Sequence, residues 1–291
     1  MPANSRTKGL VPDELTGRTA FVGGLGAGSE SALKLARLGV NLVIADFDIV
    51  EAANLSRTAY FTDDVGLPKA TALKRLVARA APDVSVRAFA EPVQAVLAED
   101  WAANVGQLDL IVAGTDSLEA QAYLNNFAMK NSIPAVFIDV HERSRGGMVT
   151  LVLPGETPCY RCVAHQRFLA QAAGNEPVDL HGALGLSVDV GIIDSVALKI
   201  ALAVLGRGTT TDAGRFFEAV CGRSQVVVRC HPDYRFGGTD IFDLVLSDLP
   251  TAPRDFKADL QSNVLLACDT LWLKPDFEPG CPDCAARAGA Q

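Results

Sequence analysis

Positive charge is in short supply: 26 Lys and Arg face 34 Asp and Glu, a formal net charge of −8 over 291 residues. That sign is wrong for holding nucleic acid or an anionic membrane through counterion release. No stretch of 18 or more residues is both apolar and uncharged. The most apolar helical stretch, Val188 to Gly206, is interrupted by Asp189, Asp194 and Lys199, so no membrane-spanning helix is expected. The opening MPANSRTKGLVPDE lacks the apolar core of a secretory leader. No fixed-period repeat is present, which excludes solenoid and collagen-like chains, and the absence of GxxxxGK[ST] excludes the P-loop class. A soluble, cytoplasmic protein is the expectation, with 49% hydrophobic against 21% charged residues to build a sizeable core.

Residues 1–16 carry no periodicity and read as a flexible N-terminal arm. From Arg18 the pattern alternates. Arg18–Gly23 is a short apolar strand, Ser29–Gly39 has apolar residues at helical spacing, and Val40–Asp46 is again an apolar run. Helices are expected over Pro68–Ala81, Pro92–Val105 and Asp116–Asn131, and strands over Val84–Phe89, Leu108–Ala113 and Pro134–Ile138. Such alternation implies an α/β fold: a Rossmann-like, mainly parallel sheet covered by helices on both faces. Gly147–Leu153 reads as an added strand, 188–206 as a helix, and Arg215–Val220 and Gln225–Cys230 as strands; the last fifty or so residues look irregular. The chain divides into the arm, one domain over 17–230, and a C-terminal elaboration over 231–291.

Between the first strand and first helix lies Gly23-Gly24-Leu25-Gly26-Ala27-Gly28-Ser29. Glycines permit a tight turn and close approach of backbone to a polyphosphate, and the following helix offers unpaired N–H groups. Asp46 ends the second strand, where an acid commonly receives ribose hydroxyls. The next segment supplies Asp48, Asn54, Arg57 and Lys69, types that suit a triphosphate and a departing pyrophosphate better than a nicotinamide cofactor. Asp116 follows the strand Leu108–Ala113, at a carboxyl end where it could hold Mg²⁺. Among the seven cysteines, Cys159-x-x-Cys162 and Cys281-x-x-Cys284 read as metal ligands in a reducing compartment.

The order glycine loop, D-x-D-x-V, N-L-x-R, D-x-G-x-x-K, T-D and P-C-Y-R-C resembles the ThiF/MoeB/ubiquitin-activating-enzyme superfamily over about residues 18–206. The resemblance implies ATP- and Mg²⁺-dependent adenylation of the C-terminal carboxylate of a ubiquitin-like protein, sulfur carrier or peptide, with release of pyrophosphate. It implies that the backbone of Gly23, Gly24, Gly26 and Gly28 approaches the nucleotide. Asp46 would hold the ribose, Asn54, Arg57 and Lys69 the phosphates, and Asp116 the magnesium. Structural Zn²⁺ on Cys159, Cys162, Cys281 and Cys284 is implied in a zinc knot; His165 and His231 could substitute as ligands but read as ordinary surface or loop histidines. So is a homodimer, in which Arg6 or Arg18 could act in trans.

Two departures stand out. Leu25 occupies a position that is glycine in most members. The crossover segment 163–187 contains no cysteine, so adenylation without a thioester step is expected. Cys221, Cys230 and Cys268 read as small core residues. The competing readings are an inactive scaffold subunit of the same family and an NAD-dependent oxidoreductase.

Overall fold

The computed structural model describes residues 6–98, 101–174, 185–220, 222–235 and 268–288. Cys221, residues 175–184 of the crossover segment and residues 236–267 of the C-terminal elaboration lie outside the described residues. The first half contains β1 (Thr19–Gly23), α1 (Gly28–Arg37), β2 (Asn41–Ala45), α2 (Lys69–Ala80), β3 (Val86–Phe89), α3 (Val93–Val96), α4 (Trp101–Val105), β4 (Leu110–Ala113), α5 (Leu118–Asn131) and β5 (Ala135–Val140). The second half adds β6 (Gly146–Val152), α6 (Tyr160–Val163), α7 (His165–Ala172), α8 (Ser187–Leu205), α9 (Asp212–Val220), β7 (Gln225–Arg229), β8 (Asp269–Leu273) and α10 (Pro282–Ala288).

The strands form one sheet in the order β3-β2-β1-β4-β5-β6-β7-β8. Pairing is parallel from β3 to β5 and antiparallel from β5 to β8, the mixed Rossmann-like sheet expected. Its central strands are apolar on both sides because both faces are covered. Ala20, Val22 and Ile44 pack with residues of α1, α2 and α8 on one face. Phe21, Ile111 and Phe137 pack with residues of α3, α5 and α6 on the other. Asp194 of α8, fully buried, accepts hydrogen bonds from Ser31 Oγ and Lys34 Nζ of α1 and so locks the two helices together. Burial holds its carboxyl above the ordinary carboxylate range.

Four expectations require correction. Residues 215–220 are helical, within α9. Thr211 Oγ1 accepts from Gly214 N near its start, and Ala213 and Phe217, four apart, face the core. Asp269–Leu273, read as irregular, is a strand because β7 supplies its pairing. The helix expected over Pro92–Val105 is two short ones, α3 and α4. The arm is docked from Gly9 onward: Gly9 O and Leu10 O accept from Asp212 N and Ala213 N, and Leu15 is buried.

Candidate functional site

The parallel half of the sheet reverses strand order between β1 and β4, and there open α/β sheets present a crevice beyond the strand carboxyl ends. Two turns meet at this point. Gly24, in the left-handed region at φ +80°, sits so close to the β4 turn that a Cβ would lie 2.5 Å from Thr115 N. A Cβ on Gly114 would lie 2.8 Å from Gly28 N. Glycine is required at both positions because backbone packs on backbone. Gly26 faces open space instead. Leu25 is fully buried among core residues, so its side chain points into the core and away from the surface of the loop.

Asp46, just past β2, clamps this loop. One carboxylate oxygen accepts from Leu25 N at 2.6 Å and the other from Asp48 N at 2.8 Å. Each oxygen keeps a further lone pair for a ligand hydroxyl. Burial raises the Asp46 carboxyl, with Lys69 pulling the other way. The following segment folds back over the loop. Asn54 Oδ1 accepts from Glu51 N at 3.0 Å and Asn54 O from Arg57 N at 3.0 Å, so the asparagine orders the turn that carries the arginine. Ser29 Oγ of α1 accepts from Ala59 N at 3.2 Å. Lys69, buried at the first turn of α2, pairs with Asp48 at 2.7 Å. Tyr60 was not singled out from the sequence, yet it is central: its buried hydroxyl donates to Leu25 O at 2.9 Å and lies 3.4 Å from Lys69 O. A lone aromatic in a polar segment gave no pattern to find it by.

The structure thus brings the glycine loop, Asp46, Asp48 and Lys69 together, and ties the segment that carries Asn54 and Arg57 to α1 through Ala59 N and Ser29 Oγ. Asp116 is exposed and follows β4, two residues past Gly114. Arg18, by contrast, stands before β1 at the opposite, amino-terminal end of the central strands, paired with Asp109 at 2.8 Å.

The four paired cysteines converge. Their Sγ atoms lie within 4.8 Å of one another, at 3.7 Å for Cys159–Cys162, 3.6 Å for Cys159–Cys281 and 3.6 Å for Cys162–Cys284. A tetrahedron of Zn–S bonds of about 2.3 Å has edges of about 3.8 Å, so the donor set fits zinc. Burial raises the Cys159 thiol and pushes Cys162 up to about 11, a cost that a bound cation would reverse. His165 pairs with Glu278 and His231 with Asp233, so neither stands in for a cysteine. Cys230 is buried, with its thiol pushed up to about 12 by burial. Cys268 corrects the core expectation: it is exposed, immediately before β8.

Residues 14–231 match the ThiF family model. The SAMP-activating enzyme E1 of Haloferax volcanii is 36% identical over 231 residues, covering 75% of this chain and 79% of the relative. The chain belongs to the ThiF family. The sulfur carrier protein ThiS adenylyltransferase of Bacillus subtilis is 34% identical over 150 residues, covering 50% of this chain and 43% of that protein. The fold is shared with E. coli MccB solved with ATP, at a TM-score of 0.61 and 16% identity, covering 94% of this chain and 68% of that one. As a ThiF-family member the chain has relatives named as activating enzymes and adenylyltransferases, and it spans about half the length of several of them. Among the described residues, no helix is long and apolar enough to cross a membrane.

Proposed function

We propose that this ThiF-family chain is a nucleotidyltransferase that adenylates the C-terminal carboxylate of a ubiquitin-like protein, sulfur carrier or peptide. The observation that supports the reading is the clamp of Asp46 on the glycine loop at the β1/β4 crevice, with Lys69 paired to Asp48 beside it. A carboxylate oxygen attacks the α-phosphorus of ATP, the bond to the β-phosphate bridging oxygen breaks, and a mixed anhydride and pyrophosphate result. The chain needs no nucleophile of its own for this step, only alignment and charge neutralisation. Asp46 orients the ribose, and the loop backbone approaches the phosphates. Arg57 and Lys69 stabilise the charge that grows on pyrophosphate. Asp116 would hold Mg²⁺, which supplies further neutralisation when bound. With no cysteine in the crossover segment, the acyl-adenylate passes directly to a sulfur donor, an amine or a partner enzyme. Leu186 and Val188, exposed at the start of α8, are consistent with a homodimer.

Carrier-dependent exchange of labelled pyrophosphate into ATP tests the reading. Arg57→Ala and Asp116→Ala should each lower exchange by about 10²-fold or more. Exchange that survives both substitutions, or NAD binding with no exchange for any carrier, would overturn it.

A further inference from the structure

Tyr160 stands between the two cysteines of the first pair and is fully buried. Its backbone N–H donates to Asn125 Oδ1 of α5 at 2.8 Å, and Asn125 Nδ2 donates to Asp283 Oδ2 at 2.7 Å. Asp283 lies between the cysteines of the second pair, so one asparagine bridges both halves of the knot. The Tyr160 hydroxyl reaches the other way, 2.9 Å from both Gln121 Oε1 and Asp139 Oδ1. Gln121 is one helical turn before Asn125 on α5. Its Nε2 donates to Asp139 Oδ1 at 2.8 Å and to Thr115 O at 3.0 Å. Thr115 immediately precedes Asp116. Arg167 of α7 completes the cluster, with Nη1 at 2.9 Å from Asp139 Oδ1 and 2.7 Å from the Tyr160 hydroxyl.

A continuous chain of hydrogen bonds therefore runs from the cysteine knot to the turn that presents Asp116. We propose that Tyr160 and Gln121 are positioning residues that carry order from the loaded knot to this turn, presetting Asp116 for the magnesium–nucleotide. The inference rests on the crevice reading above. Its physical basis is preorganisation: an exposed carboxylate on an unsupported turn must be ordered when the cation binds, whereas a turn already fixed at Thr115 O avoids that cost. Gln121 is suited to the task because its amide both donates and accepts, joining a backbone carbonyl to the Tyr160 hydroxyl and Asp139.

The test is calorimetric titration of the full chain with ATP, with and without Mg²⁺, with zinc content measured on the same samples. Tyr160→Phe and Gln121→Leu should each weaken Mg²⁺-dependent ATP affinity about fivefold. Affinity without added Mg²⁺ and zinc content should stay at wild-type levels, and the double variant should lose less than the product of the two. Tyr123→Phe, which removes a 2.7 Å hydrogen bond to Leu97 O from the same helix, is the control and should leave the magnesium dependence unchanged. Wild-type magnesium dependence in zinc-loaded Tyr160→Phe overturns the proposal, as does an equal loss in Tyr123→Phe. Should Gln121→Leu fail to fold, Tyr160→Phe, which deletes only a hydroxyl, decides the matter. A wild-type chain that binds no ATP overturns the crevice reading itself, a result distinct from variants that bind as wild type does.

Discussion

The glycine-loop crevice and the cysteine knot occupy the same domain but are assembled in opposite ways. The crevice takes nearly all its parts from one continuous stretch, Gly23 to Lys69, held by backbone N–H groups and short side chains: Asp46 to Leu25, Asn54 to Glu51, Ser29 to Ala59. The knot joins two pairs of thiols with 118 residues between them, and its ligands come together only when α10 docks on α5. Local hydrogen bonding shapes the first; long-range closure shapes the second. The crevice should therefore tolerate single losses without unfolding, whereas the knot should not.

Breaking the knot is the largest test of that contrast. Cys281→Ser should release the metal and destabilise the chain by about 3–5 kcal/mol, as expected when a buried metal site is lost. Urea unfolding with metal analysis reads this directly, and a loss below about 1 kcal/mol would show the knot to be peripheral. Next comes a contrast inside the glycine loop. Leu25→Ala empties a fully buried site and should cost about 2–4 kcal/mol. Gly26→Ala, with nothing within 4 Å of the added Cβ, should change stability by less than about 1 kcal/mol. Equal costs at the two positions would mean that the loop is not anchored through Leu25.

The smallest expected effect is a pH dependence near the network between the two regions. Burial lowers the His141 pKa from its ordinary 6.5, with Asp139 raising it and Arg167 lowering it. Its Nδ1 is 2.7 Å from the Tyr234 hydroxyl, itself pushed up by burial. As pH falls through the ordinary histidine value, the unfolded chain takes up this proton first. Stability that is complete above that value is therefore lost on acidification toward the lowered one. His141→Gln should flatten the Tm profile between about pH 7 and pH 5.5; an unchanged slope would assign the effect to other groups.

How much was legible beforehand follows the same division. The βαβ unit and its loop were readable because strand, glycine turn and helix are neighbours in the chain, and period-2 and period-3.6 patterns report on neighbours. The spacing within each cysteine pair suggested metal ligands, whereas zinc shared by all four was implied by the family resemblance. The α9 segment was misread because a short apolar run fits strand and helix equally well. β8 was missed because its pairing partner lies some forty residues earlier in the chain. Tyr60, Gln121, Asp139 and Arg167 carry no motif; only Asp139, a charge ending the apolar run of β5, left a trace.

The sequence by itself determined the sheet's parallel core, the position of the glycine turn and the residue types that follow it. Each of these follows from interactions among residues close along the chain. Only the tertiary structure decided that Leu25 faces the core, that the four thiols share one centre, and that a tyrosine between two cysteines reaches the turn before Asp116. Those outcomes depend on which distant side chains the packed helices bring within hydrogen-bonding distance.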